Sequence, residues 1–296
     1  MTDHRPFSGT GVAMVTPFTQ EGEVDFTALE QLTERLISNG INYLVVLGTT
    51  AETPTLSAIE KQDVVRCVVQ SGGGKVPVVV GAGGNDTRAV IQGIKEMKRD
   101  GVDALLSVVP YYSKPTQEGI YQHFSALAAS SDLPIMLYNV PGRTGMNMSA
   151  NTVIRLAMDF PDQVVALKEA SGDFQQISDI LRDKPTGFQV VSGDDAITLP
   201  MISMGAGGVV SVIGNGYPAM FSTMVAAALG GAFAKARELH HRLSPMMKAI
   251  FKEGNPAGIK ASMEIQGWIK NVLRLPLVPA SQPLYQEIRE LDRLLH

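Results

Sequence analysis

Short apolar runs rich in valine, isoleucine and leucine recur along this chain, bounded by glycine or proline and separated by amphipathic stretches. In order they read GVAMVTP, YLVVLG, VPVVVGAG, DALLSVVP, PIMLYNVP, VVALKEA, FQVVSGDD and GGVVSV. Near-continuous apolar runs of this length are the pattern of strands buried on both faces. The stretches between them, such as FTALEQLTERLIS and the segment from Thr87 to Arg99, carry helical periodicity. Strands joined by helical crossovers lie parallel. Eight βα units in one continuous chain therefore predict a closed (β/α)8 TIM barrel rather than an open doubly wound sheet. The rhythm stops near residue 217. Pro218 to Lys252 is rich in alanine and methionine and reads as helical, as does Pro256 to Leu273. No Gly/Ser or charged linker intervenes. The expectation is a barrel over 1–217 with an additional C-terminal helical region, 218–296, packed beside it.

Composition changes the picture only by exclusion. A chain of 296 residues that is 45% hydrophobic and 18% charged can fill a large core and does not read as disordered. The formal net charge is -4, aromatic residues make up 6%, and no Lys/Arg cluster stands out. A nucleic-acid surface would want a basic stripe or stacking platforms. The one cysteine, Cys67, can form no internal disulfide and no cysteine metal cage. The opening MTDHRPFSGTGVAMVTPF lacks the long apolar core of a signal peptide, and the apolar runs are too short to span a bilayer. A cytoplasmic protein without membrane contact is the expectation.

Barrels carry their reactive groups at the carboxyl ends of the strands, and polar residues collect there. Thr49 and Thr50 follow YLVVLG, Tyr111 and Tyr112 follow SVVP, Tyr138 and Arg143 lie in and after PIMLYNVP, and Lys168 sits late in VVALKEA. Period-2 alternation places Val164, Ala166 and Lys168 on one strand face and Val165, Leu167 and Glu169 on the other. A lysine facing a barrel interior has to be desolvated or paired, which is unfavourable unless the amine is used. A neutral amine can attack a ketone to form a Schiff base. The alternative is a lysine that snorkels outward or pairs with Glu169. Tyr138 alternates with Met136, so its phenol can point inward and move a proton, or it is simply an amphipathic rim residue. Arg143, in the turn-rich NVPGRTG, can grip a carboxylate in bidentate fashion or lie solvated in its loop.

Other signals are weaker. GAGGN at 81–85 only loosely resembles a phosphate loop. GDD at 193–195 suits a helix cap better than a metal. His123, His240 and His241 lack ligand spacing with nearby acids, and no G-x-S-x-G elbow occurs.

Taken together and in order, GVAMVTPF, GTTAETPTL, VGAGGNDT, VVPYYSKP, YNVPGRTG, ALKEASGD, VSGDD and GAGGVVSVIGN resemble the pyruvate-dependent Schiff-base aldolases, the family of dihydrodipicolinate synthases and N-acetylneuraminate lyases. The resemblance runs from about Gly9 to Leu275. It implies a Schiff-base lysine at Lys168, a proton-shuttling tyrosine at Tyr138, and a linking threonine at Thr49. It implies further that Tyr112 is donated by a neighbouring subunit, that Thr50 holds the pyruvate carboxylate, and that Gly193 and Val210 line the pyruvate end. Arg143 falls where the synthase branch holds the carboxylate of aspartate semialdehyde. The neuraminate lyases lack that arginine and carry a GST-like sequence where this chain has GTT. The branch works without metal or nucleotide and forms dimers commonly paired into tetramers. An aldolase or lyase for another 2-oxo acid, such as a sugar-derived one, is the alternative within enzymes; a barrel kept as a binding or regulatory module is the alternative outside them. Two departures stand out. Ala51 replaces the usual glycine of GTTGE. Asn85 and Tyr111 match the inhibitor site of lysine-regulated members, but Ala58, Lys61 and Ala89 replace its two histidines and its glutamate, which implies weak or absent inhibition by lysine.

Overall fold

A computed structural model describes residues 7–295. The first six residues, part of the stretch read as lacking a leader, and His296 lie outside the described residues.

Each of the eight apolar runs forms a strand: β1 (Gly9–Ala13), β2 (Tyr43–Val46), β3 (Val78–Gly81), β4 (Ala104–Val108), β5 (Ile135–Asn139), β6 (Val164–Glu169), β7 (Gln189–Ser192) and β8 (Gly208–Ser211). They pair in chain order and in parallel, and β8 returns to β1 from Gly9↔Gly208 to Val12↔Ser211, which closes the barrel. The connecting helices are α1 (Phe26–Ser38), α2 (Ala58–Gly72), α3 (Thr87–Glu96), α4 (Gln117–Ala128), the single turn α5 (Pro141–Thr144), α6 (Ala150–Asp159), α7 (Phe174–Asp183) and α8 (Thr198–Ser203). Polar caps set most of their starts. Asp25, Ser57, Asp86, Thr116, Ser149 and Asp173 each accept a backbone N–H in the first turn, an interaction typically worth about 1 kcal/mol.

After β8 come α9 (Pro218–Leu229), α10 (Phe233–Ala249), α11 (Ala257–Ile265) and α12 (Gln282–Leu295). The helical reading of 218–252 thus resolves into two helices, broken where Gly231 takes φ 79°. That of 256–273 ends at Ile265, just before Gly267 at φ 78°, and α12 falls within the region 218–296 expected to be helical. Helix α9 packs against β1 and β8 in the manner of an outer barrel helix. We place the start of the added region at α10 on that ground.

The core has two layers. Ala13, Val45, Val79, Leu106, Met136, Tyr138, Ala166, Val191 and Val210 fill the barrel interior. Leu105, Ile135, Leu137, Val164, Leu167 and Val190 face the helices outside. Strand alternation therefore holds for Ala166, Leu167 and Lys168 but fails for Val164. The β5–β6 register shifts between Ile135 and Met136, which pair with Val164 and Ala166, so Val165 is the extra residue. A bulge of this kind turns the preceding side chain over. Val164 joins the outer layer, and Val165 packs against the inner one.

Candidate active site

Lys168 and Tyr138 sit opposite each other in the β5–β6 register, and both point into the barrel mouth. The Lys168 Nζ lies 4.2 Å from the centroid of the Tyr138 ring, and the two residues are 4% and 6% exposed. Among the described residues the Lys168 amine has no ion pair and no hydrogen-bond partner. Glu169 does not pair with it, because the next residue of a strand points to the opposite face. The ring face packs against the amine without giving it a hydrogen bond or an ion pair. Gly193, at the end of β7, makes room for the lysine. A Cβ there would stand 2.7 Å from Ala170 Cβ and 3.1 Å from both Cγ and Cε of Lys168. Val210, from β8, belongs to the same inner layer as Tyr138 and Ala166.

Thr49 and Thr50 form a 3-10 turn with Ala51 directly after β2. Thr49 is half-buried, whereas Thr50 is buried and accepts a hydrogen bond of 2.8 Å from Asn255 Nδ2. Ala51 is absorbed without strain: the left-handed conformation falls on the next residue, Glu52, at φ 55°. Arg143 is exposed in α5, and its side chain has no hydrogen-bond partner among the described residues. Lys168 thus touches both Tyr138 and the space at Gly193, Val210 lies in the same inner layer, and Thr49, Thr50 and Arg143 stand on loops at the carboxyl ends of β2 and β5.

Tyr112 is not part of this cluster. It is 89% exposed and held at φ 72° in the loop after β4, with Lys114 at φ 49° nearby. Positive φ is strained for a bulky side chain and tends to mark positions where the direction of that side chain matters. Tyr111 is 41% exposed, and Asn85 is exposed in the turn before α3. A cleft of about 600 Å³ opens between α2 and α3, lined by Asn85 together with Ala58, Lys61 and Ala89.

The weaker motifs have structural roles. A Cβ on Gly81 would meet the Leu47 carbonyl oxygen at 2.0 Å, so close backbone packing accounts for that glycine. Asp194 caps the turn that follows it by accepting from Ala196 N. Asp195 is buried and accepts from the backbone of Val212 and Ile213, and burial pushes its carboxyl up to about 6. No group of three or more His, Cys, Asp or Glu among the described residues is disposed to hold a metal ion. No helix among them is long and apolar enough to cross a membrane.

Three supporting contacts went unread in the sequence: Asn255 on Thr50, the fully buried pair Lys260–Glu52 at 2.5 Å, and a network around the buried Glu169. Only Glu169 left a signal, as a charge on the helix-facing side of an apolar strand.

A closed parallel barrel with an unpaired lysine held against a tyrosine at the strand ends defines a class, the Schiff-base (class I) lyases, whose amine forms the covalent link to a ketone. Within that class, residues 6–293 match the model of the Dihydrodipicolinate synthetase family, and the chain belongs to that family. It is 52% identical to the 4-hydroxy-tetrahydrodipicolinate synthase of Parabacteroides distasonis over 97% of this chain and 96% of that protein. With the enzyme of the same name from Bacillus subtilis it shares 46% identity over 93% and 95%. Its fold superposes on a crystal structure of dihydrodipicolinate synthase from Thermotoga maritima with a TM-score of 0.95 at 41% identity, covering 98% of this chain and 99% of that one.

Proposed function

We propose that this enzyme condenses pyruvate with L-aspartate 4-semialdehyde to 4-hydroxy-tetrahydrodipicolinate, a step of lysine and diaminopimelate synthesis. The observation that carries this reading is the unpaired Lys168 amine against the Tyr138 ring, with Arg143 unengaged on the neighbouring loop. The neutral amine adds to the pyruvate ketone, and the carbinolamine loses water to give an iminium. That cation is an electron sink, so a methyl proton leaves and an enamine forms. Tyr138 moves the protons, relayed by Thr49 and by Tyr112 of a second copy. Thr50 helps hold the pyruvate carboxylate, and the backbone near Gly193 and Val210 lines the pyruvate end. The enamine carbon attacks the aldehyde, while Arg143 grips the carboxylate of the semialdehyde. Attack of the substrate's own amine on the iminium carbon closes the ring and returns Lys168 as a free amine. No resident cofactor takes part in these steps. The active form is a dimer that exchanges Tyr112, paired into a tetramer, at work in the cytoplasm.

The test is the initial rate of pyruvate consumption with fresh aspartate semialdehyde. A turnover of about 1–1000 per second, absent in Lys168→Ala along with the borohydride-trapped pyruvate adduct, is the expected result. A trapped adduct in Lys168→Ala would remove the lysine from its role; an adduct in the wild type without turnover would point to another 2-oxo acid reaction. At the cleft between α2 and α3, Asn85 matches the effector site of lysine-regulated members, as Tyr111 does in the loop after β4, while Ala58, Lys61 and Ala89 in the cleft offer neither imidazole nor carboxylate. Millimolar lysine is accordingly expected to remove less than half of the activity; strong inhibition at micromolar lysine would refute this.

A further inference from the structure

Strand β6 presents two charged residues in succession, and the reaction uses only one. Lys168 faces the barrel mouth; Glu169, fully buried, faces the helices. Every partner of the Glu169 carboxylate is a donor: Asn139 Nδ2 at 3.2 and 3.0 Å, the Ser171 backbone N–H at 2.6 Å and Gln176 Nε2 at 3.4 Å. An ionised carboxylate accepts only, so it suits this surround, and burial raises its pKa against those hydrogen bonds.

The carboxylate dictates which way the Asn139 amide points. With Nδ2 turned to Glu169 and to Asn147 Oδ1 at 2.8 Å, Oδ1 is left to accept the Met148 backbone N–H at 3.0 Å. Asn147 donates in turn to Gln176 Oε1 at 2.8 Å, and Gln176 Nε2 reaches Asn147 Oδ1 at 3.2 Å and Met148 O at 3.3 Å. The chain therefore leaves β5 at Asn139 and returns at Asn147 and Met148, tied at both ends to one network. Between those ties lies α5 with Arg143, whose side chain has no hydrogen bond among the described residues to hold it. The place of its guanidinium is inherited from the base of the loop.

We propose that Glu169 is a positioning residue for the second substrate: by orienting the Asn139 amide it fixes the base of the loop that carries Arg143. This rests on the reading of Arg143 as the carboxylate grip. Adjacent residues of one strand then serve the two substrates, Lys168 from the inner face and Glu169 from the outer.

Glu169→Gln puts an amide N–H among donors and favours reversal of the Asn139 amide, which would set Nδ2 against the Met148 N–H. The expected result is a rise of about tenfold in the KM for aspartate semialdehyde, the scale of one disturbed charge-assisted hydrogen bond. The KM for pyruvate and the borohydride-trapped adduct stay near wild type. Because Glu169 acts through Arg143, Glu169→Gln combined with Arg143→Ala should be no worse than Arg143→Ala alone. Equal rises in both KM values, or effects that multiply in the double variant, would overturn the proposal. Should Glu169→Gln not fold, Asn147→Ala at the exposed end of the network serves instead. It must show the same KM selectivity, and an unchanged semialdehyde KM there would overturn the proposal as well. If Arg143→Ala raises that KM while Glu169→Gln does not, only the role of Glu169 falls. If Arg143→Ala leaves it unchanged, the assignment of Arg143 falls first and takes the proposal with it.

Discussion

His123 on α4 is 4% exposed, with Nδ1 2.9 Å from the Thr87 hydroxyl and Nε2 buried without a hydrogen-bond partner among the described residues. It contributes nothing to the chemistry, yet it shapes how the protein responds to acid. Burial pushes its pKa down to about 4, against about 6.5 for a free histidine. Between those values the unfolded chain binds a proton that the folded chain refuses, so stability rises with pH across the window and is complete above it. Acidification from pH 7 to pH 4 is therefore expected to remove about 2–3 kcal/mol through this residue. Denaturant unfolding of wild type and His123→Leu at pH 7.5 and 4.5 checks it: the acid-side loss should shrink in the variant, and equal losses would assign the acid sensitivity elsewhere. Lys168 shows the opposite use of a buried base. It too lies without a polar partner among the described residues, but it faces the open end of the barrel rather than a helix interface, so a substrate can reach it.

At the scale of elements, the helices added after the barrel hold the turn that carries Thr49 and Thr50. Besides Asn255 on Thr50, Lys260 of α11 donates to Glu52 at 2.5 Å and to the Val272 carbonyl at 3.0 Å, and the Arg274 backbone N–H donates to the other Glu52 oxygen at 2.9 Å. Glu52 stands in the left-handed region, which is unfavourable for a residue with a side chain. These contacts hold it there. Burial draws the Lys260 amine down to about 8, with Glu52 opposing the shift. A buried ion pair adds little net stability over an apolar pair, but removing one partner strands the other charge and costs about 3–5 kcal/mol. Lys260→Met should lower stability in urea by that amount and raise the KM for pyruvate through the displaced Thr50. A variant as stable as wild type would mean that Glu52 finds another partner or a proton.

At the scale of the whole molecule, one chain leaves Tyr112 outside its own site. If each chain supplies that phenol to a neighbour across a two-fold interface, two differently inactivated chains can repair each other. Mixed and reassembled, Tyr112→Ala and Lys168→Ala proteins place an intact Lys168 beside an intact Tyr112 in half the sites of each hybrid dimer. Random mixing is expected to restore about one quarter of wild-type activity. Rates no higher than the sum of the two variants alone would show that Tyr112 acts within its own chain or not at all.

What was legible in the sequence was local. Strand number and order, their parallel course and the inward aim of Lys168 and Tyr138 follow from apolar runs and a two-residue period, which need only near neighbours along the chain. The bulge that turned Val164 over could not be read this way, because a bulge is a mismatch between two strands rather than a property of one. Nor could the ties of Asn255 to Thr50, 205 residues apart, and of Lys260 to Glu52, 208 apart. Each partner, viewed alone, is an ordinary polar residue; barrel closure and the docking of α11 bring the pairs together. The strand of Lys168 could be read from the sequence, whereas the contacts that shape its surroundings exist only once distant parts of the chain have met.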